Sequence, residues 1–117
     1  GVCMDRNKLY QEELSKLEEL FKGVDPVKRK LTEGLRQDAA FLKAENAMLR
    51  HIMKETGMIK VHPEYPEVQK PVEAAKQYRS NVEKYSVVIK TLNSVLSKDT
   101  TDDDDPFYKF LKEKMGQ

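Results

Sequence analysis

The length, composition and charge of this chain indicate a small helical protein. Its 117 residues leave room for one domain with a modest core. Hydrophobic residues make up 38% and charged residues 35% of the chain, with no Trp, which is typical of long helices. The single cysteine, Cys3, excludes an internal disulfide and fits a reducing cytoplasm. No apolar run approaches the roughly 18–20 residues that cross a membrane, so we expect no membrane partner.

The first predicted elements are an N-terminal helix, in residues 1–24, and a long antiparallel helical hairpin, in residues 25–97. Gly23 is predicted to end the first helix in the left-handed conformation. Asp25-Pro26 supplies an N-cap and a first-turn proline for a single helix that continues to about residue 55, where Gly57 closes it. A proline-rich linker follows, and Pro71 is predicted to open the second hairpin helix, which ends near residue 97.

Apolar residues repeat with heptad spacing along both hairpin helices. Such stripes must face another helix, and three long helices would leave apolar surface unburied in a monomer. We therefore predict an all-α protein that oligomerises. The residues expected to form the oligomerisation core are Leu42, Leu49, Ile52, Tyr78, Val82, Tyr85, Ile89 and Leu92.

Polar residues interrupt this pattern at two places. Asp38 and Glu45 lie seven residues apart on one helix face, where paired carboxylates could hold a metal or act as acid and base. The simpler hypothesis is that they pair with Lys, Arg or Tyr of a neighbouring helix, and the hydroxyls of Tyr78 and Tyr85 could reach them. No phosphate-binding loop, nucleophile elbow or Cys/His pair is recognisable, so we expect no cofactor, no metal and no catalysis.

The basic cluster of the body consists of Lys28, Arg29, Lys30 and Arg36. Near a predicted helix start these charges oppose the helix dipole, so helix stability does not explain them. They could contact DNA phosphates, or they could form a solvated face paired with nearby carboxylates.

The C-terminal segment, residues 98–117, is predicted to be an acidic, flexible tail that ends in a short helix. Residues 99–117 contain six acidic and three basic residues, whereas residues 1–98 carry a net charge of +4. Phe107, Phe110 and Leu111 would share one face of the short helix, which could fold back on the body or dock into a partner. We expect docking into a partner.

Residues 25–115 resemble the P27-type small terminase subunits of tailed phages and prophages. The resemblance is carried by the aliphatic-acidic helix Phe41–Ile52, by His62-Pro63, and by the "AAKxY" pattern at residues 74–78. The acidic "DDDDPFYKFLKEK" end is also similar. The family often has an N-terminal helix-turn-helix, whereas residues 1–24 offer a single helix.

The resemblance implies a non-catalytic subunit in the cytoplasm of the bacterial host. Such subunits form rings, here expected to contain about eight to ten copies. They bind double-stranded phage DNA and recruit the large terminase subunit, which supplies ATPase and nuclease activity. The alternative hypothesis is a helical coiled-coil adaptor or scaffold that binds only proteins, because heptads and a docking tail would serve either role.

Overall fold

The computed structural model describes the backbone of residues 5–104 and the side chains of residues 5–98. Four helices and a two-stranded sheet follow one another in chain order. They are α1 (Arg6–Leu20), α2 (Pro26–Leu31), α3 (Glu33–Thr56), β1 (Ile59–Val61), β2 (Gln69–Pro71) and α4 (Glu73–Asp104). Helix α3 is central and packs against both α1 and α4. The mainly helical prediction is confirmed, and the all-α prediction is corrected by the small sheet.

Helix α1 begins with a side-chain cap and ends without the predicted left-handed glycine. Asp5 Oδ1 accepts a hydrogen bond from the Lys8 amide at 3.1 Å. The helix ends at Leu20, and Phe21, which is fully buried, occupies the C-cap. The prediction for Gly23 is wrong, because Gly57 is the glycine with positive φ among the described residues. The chain reverses at this point without a left-handed residue, and the side chain of Phe21 is buried in the core there.

The predicted helix 26–55 is divided at Thr32. Asp25 caps α2 as expected, with Oδ2 accepting from the Lys28 amide at 3.2 Å. Thr32 leaves the helical conformation (φ −97°, ψ 2°), and its buried hydroxyl donates to the Lys28 carbonyl at 2.9 Å. Backbone bonds from Thr32 to Lys28 and from Arg36 to Thr32 continue across the junction. The division is therefore a kink, and it makes α2 a separate short helix.

The predicted irregular linker is a β-hairpin. Strands β1 and β2 are antiparallel, with Lys60 opposite Lys70 and Ile59 opposite Pro71. The Val72 amide donates a hydrogen bond to the Met58 carbonyl at 3.0 Å. Because hydrogen-bonded and non-hydrogen-bonded pairs alternate in an antiparallel sheet, Ile59 and Pro71 form a non-hydrogen-bonded pair. Pro71 can therefore end the strand without losing a hydrogen bond, and α4 begins two residues later than predicted. The helix continues to Asp104, so the predicted end near residue 97 and the predicted start of a flexible tail at residue 98 are corrected.

His62 organises the turn of this hairpin. Its Nδ1 accepts hydrogen bonds from the Glu64 and Tyr65 amides at 3.1 and 3.2 Å, and its ring lies 5.1 Å from that of Tyr65. We expect His62→Ala to destabilise the turn by about 1 kcal/mol, because two amides lose their acceptor. His62→Asn should retain the turn, since Asn Oδ1 can occupy the position of Nδ1. Amide hydrogen exchange at Glu64 and Tyr65 measures both variants; equal exchange in His62→Ala and the wild type would contradict the assignment.

The hydrophobic core lies at the α2 end of an elongated molecule, which measures 78 × 31 × 22 Å. The buried residues of the core are Leu17, Phe21, Val24, Ala39, Ala40 and Leu92. Helix α1 covers α3 only as far as Glu45, which pairs with Arg6, the first residue of α1, at 2.6 Å. Beyond Glu45, α3 and α4 continue as a two-helix hairpin that lacks a covering helix among the described residues.

Candidate nucleic-acid interface

Helix α2 presents most of the predicted basic cluster at one end of the molecule. The side chains of Lys28 and Lys30 are exposed, and that of Arg29 is half-buried. Arg29 donates from Nη1 to the Lys22 carbonyl at 3.0 Å, which ties α2 to the end of α1. Because the kink at Thr32 ends the helix, the three cations occupy the last turn of α2. The expectation that these cations lie at the start of one long helix is therefore corrected.

Arg36 does not belong to the exposed cluster. It is 3% exposed, and its Nε donates to Glu18 Oε1 at 3.0 Å. Its Nη1 donates to the Arg29 carbonyl and to the Thr32 hydroxyl, and its guanidinium lies 5.1 Å from the centre of the Phe21 ring. The side chain therefore joins α1, α2 and α3. The prediction that Arg36 contacts DNA is corrected, because the guanidinium is buried and its Nε and Nη1 donate to groups of the same chain.

A polar groove of about 430 Å³ adjoins α2. Its lining consists of Glu18, Lys22, Pro26, Arg29, Lys30, Glu33 and Arg36. Four of these residues are cationic and two are carboxylates, so the lining carries an excess of positive charge. The sequence pattern did not predict that Lys22 and Lys30 lie close together. Only the turn between α1 and α2 brings them to the same groove.

The two predicted carboxylates, Asp38 and Glu45, have different surroundings on α3. Glu45 pairs with Arg6 of α1, which confirms for this residue the predicted pairing with a neighbouring helix. Asp38 is exposed beside a more apolar groove that includes Tyr10 and Phe41. Tyr85 lies near Lys43, with the ammonium 5.7 Å from the ring centre. Within the part of the chain that the structure describes, no three His, Cys, Asp or Glu residues cluster as a metal-binding group.

The residues predicted to form the oligomerisation core fall into three groups within the single chain. Leu92 is buried in the core, and Tyr85 and Ile89 pack against it. Leu42, Leu49 and Tyr78 are half-buried. Ile52 and Val82 remain 47% and 41% exposed. The prediction for Leu92 is corrected, because its side chain is enclosed by its own chain and is not accessible to a second subunit.

The remaining predicted site lies outside the described residues. Phe107, Phe110 and Leu111 fall in the segment 105–117, so their docking role stays a prediction. The described helices include none that is long and apolar enough to cross a membrane.

In comparisons with protein-family models, curated proteins and solved structures, the chain has no significant match. The resemblance to small terminase subunits therefore also stays a prediction.

Proposed function

We propose that this chain is the non-catalytic small subunit of a viral DNA-packaging terminase. The observation that carries the proposal is the cation-rich groove and the exposed Lys28 and Lys30 at the α2 end of an elongated helical body. A duplex presents a regular array of phosphates, and lysines of this kind bind it without reading bases. The sequence resemblance supplies the biological setting.

Assembly is the second part of the proposal. Ile52 and Val82 are apolar and remain exposed in one chain. Contacts through these residues would join several copies into a ring. Repetition of the α2 surface around that ring would turn a weak phosphate contact into a strong one. In this proposal the tail residues Phe107, Phe110 and Leu111 recruit the large subunit.

Binding of a 24-bp duplex by the wild type and by Lys28→Ala/Lys30→Ala tests the DNA contact. Each lost phosphate contact should reduce the slope of log K against log salt by about 0.9, so the double variant should lose about 1.8. Affinity at low salt should fall while the oligomeric mass stays unchanged. Fluorescence anisotropy at several salt concentrations measures the slope.

A matched control removes two exposed lysines from α4, in Lys84→Ala/Lys90→Ala. This control has the same net charge as the α2 variant, so an equal loss in both would indicate a general charge effect. A wild-type protein that assembles but does not retain DNA at low salt would favour the protein-binding adaptor.

A further inference from the structure

The β-hairpin places two lysines directly opposite each other. Lys60 pairs with Lys70 in the antiparallel register, so both side chains project from the same face of the sheet. Like charges in such a pair are destabilising. The adjacent residues Ile59 and Val61 project from the other face. A two-stranded sheet has little stability of its own, so this repulsion has no evident structural benefit.

Three cations on or near the hairpin lack partners within the described part of the chain. The side chains of Lys60, Lys70 and Arg79 make no hydrogen bond or ion pair with any described residue. Lys76, one turn from Arg79, pairs with Glu73 at 3.2 Å and shows the contrast.

Two adjoining grooves connect these cations. Lys70 and Arg79 line one groove, and Lys60 and Lys70 line the other. Neither groove has an Asp or Glu in its lining. The acidic residues of the hairpin, Glu64 and Glu67, lie in the turn beyond the strands. The surface therefore offers several positive charges, without acidic partners in its grooves, to an external anion that carries several negative charges.

The position of the hairpin favours duplex DNA as that anion. The α2 cluster precedes α3 and the hairpin follows it, so the 24 residues of α3 separate the two basic surfaces. At about 1.5 Å per residue this separation is about 36 Å. One turn of B-DNA measures about 34–36 Å, so one subunit could contact phosphates of the same duplex about one turn apart.

We propose that Lys60, Lys70 and Arg79 form a second DNA-phosphate contact, on the β-hairpin. This inference rests on the proposed DNA-binding function and extends it to a surface at the opposite end of α3. The contact would position the duplex along the subunit without reading its sequence.

The test compares Lys60→Gln/Lys70→Gln with Lys28→Gln/Lys30→Gln and the control Lys84→Gln/Lys90→Gln, all in the full chain. Anisotropy titrations with the 24-bp duplex give the salt slope of each. The hairpin variant should lose about 1.8 from the slope, which corresponds to two phosphate contacts. Its melting temperature should stay the same or rise, because the variant relieves a repulsion. Its mass by light scattering should equal that of the wild type.

The outcomes separate this inference from the proposed function. A wild-type slope in the hairpin variant, with a reduced slope in the α2 variant, would overturn the hairpin contact and leave the proposed function standing. A reduced slope in the hairpin variant, with a wild-type slope in the α2 variant, would support the hairpin contact and exclude α2 from the DNA interface. A wild-type protein that binds no duplex would overturn both.

Two further results would replace DNA at the hairpin by another partner. A changed mass in the hairpin variant, with a wild-type slope, would assign the surface to a second copy of the chain. Loss of binding to phosphatidylcholine–phosphatidylserine vesicles, again with a wild-type slope, would assign it to an anionic membrane surface. Either result would overturn the inference.

Discussion

Val82→Asp is expected to convert the proposed oligomer into smaller species. Val82 continues the heptad stripe of Tyr78 and Tyr85 on α4, yet it stays 41% exposed in the single chain. Burial of a Val side chain between subunits contributes roughly 1.5–3 kcal/mol, and a carboxylate there would also have to be desolvated. A loss of about 2 kcal/mol weakens each contact about 30-fold.

The matched control is Val87→Asp. Val87 lies on the same helix and is 64% exposed, but it falls outside the heptad stripe. Light scattering after size exclusion should give the wild-type mass for Val87→Asp and a lower mass for Val82→Asp. Circular dichroism should show unchanged helix content in both, because neither position is buried in the single chain. An unchanged mass for Val82→Asp would exclude Val82 from the subunit interface.

Arg36→Ala is expected to cause the largest loss of stability. The substitution removes the hydrogen bonds to the Arg29 carbonyl and the Thr32 hydroxyl, and it leaves a space over the Phe21 ring. Glu18 loses its partner too, but its side chain is 45% exposed and can be hydrated. We therefore expect a cost of about 2–4 kcal/mol, which is less than for a fully buried ion pair. The melting temperature should fall by at least about 10 °C.

Arg36→Met separates packing from hydrogen bonding. Met fills part of the space over Phe21 but cannot donate, so its stability should lie between those of the wild type and Arg36→Ala. Thermal unfolding by circular dichroism measures all three proteins, with Lys30→Ala as an exposed control. If Arg36→Ala melted at the wild-type temperature, Arg36 would not hold α2 on the body.

Local signals in the sequence predicted several features correctly. Asp25-Pro26 begins a helix and Gly57 closes one, because capping and positive φ depend on adjacent residues. The helical content was also predictable, since heptad spacing is read directly from the residue order.

Other features depend on residues that are distant in the sequence. The partner of Arg36 is Glu18, eighteen positions away, so the arginine looked like one more surface cation beside Lys28 and Lys30. A signal was present at Thr32, which precedes Arg36 by one helical turn and can accept its hydrogen bond. The Lys60–Lys70 pair required the strand register, although the alternating residues Ile59, Lys60 and Val61 before Pro63 could have indicated a strand.

The sequence by itself determined the helical character of the chain, the caps at Asp25 and Gly57 and the apolar stripes, because these follow from the chemistry of neighbouring residues and from helical periodicity. Only the tertiary structure decided which charges and apolar residues remain accessible. Packing of α1 on α3 buries Arg36 and leaves Ile52 exposed, and strand pairing brings Lys60 to Lys70. The physical reason is that accessibility depends on how far each element extends over its neighbour, and residue order alone does not specify that distance.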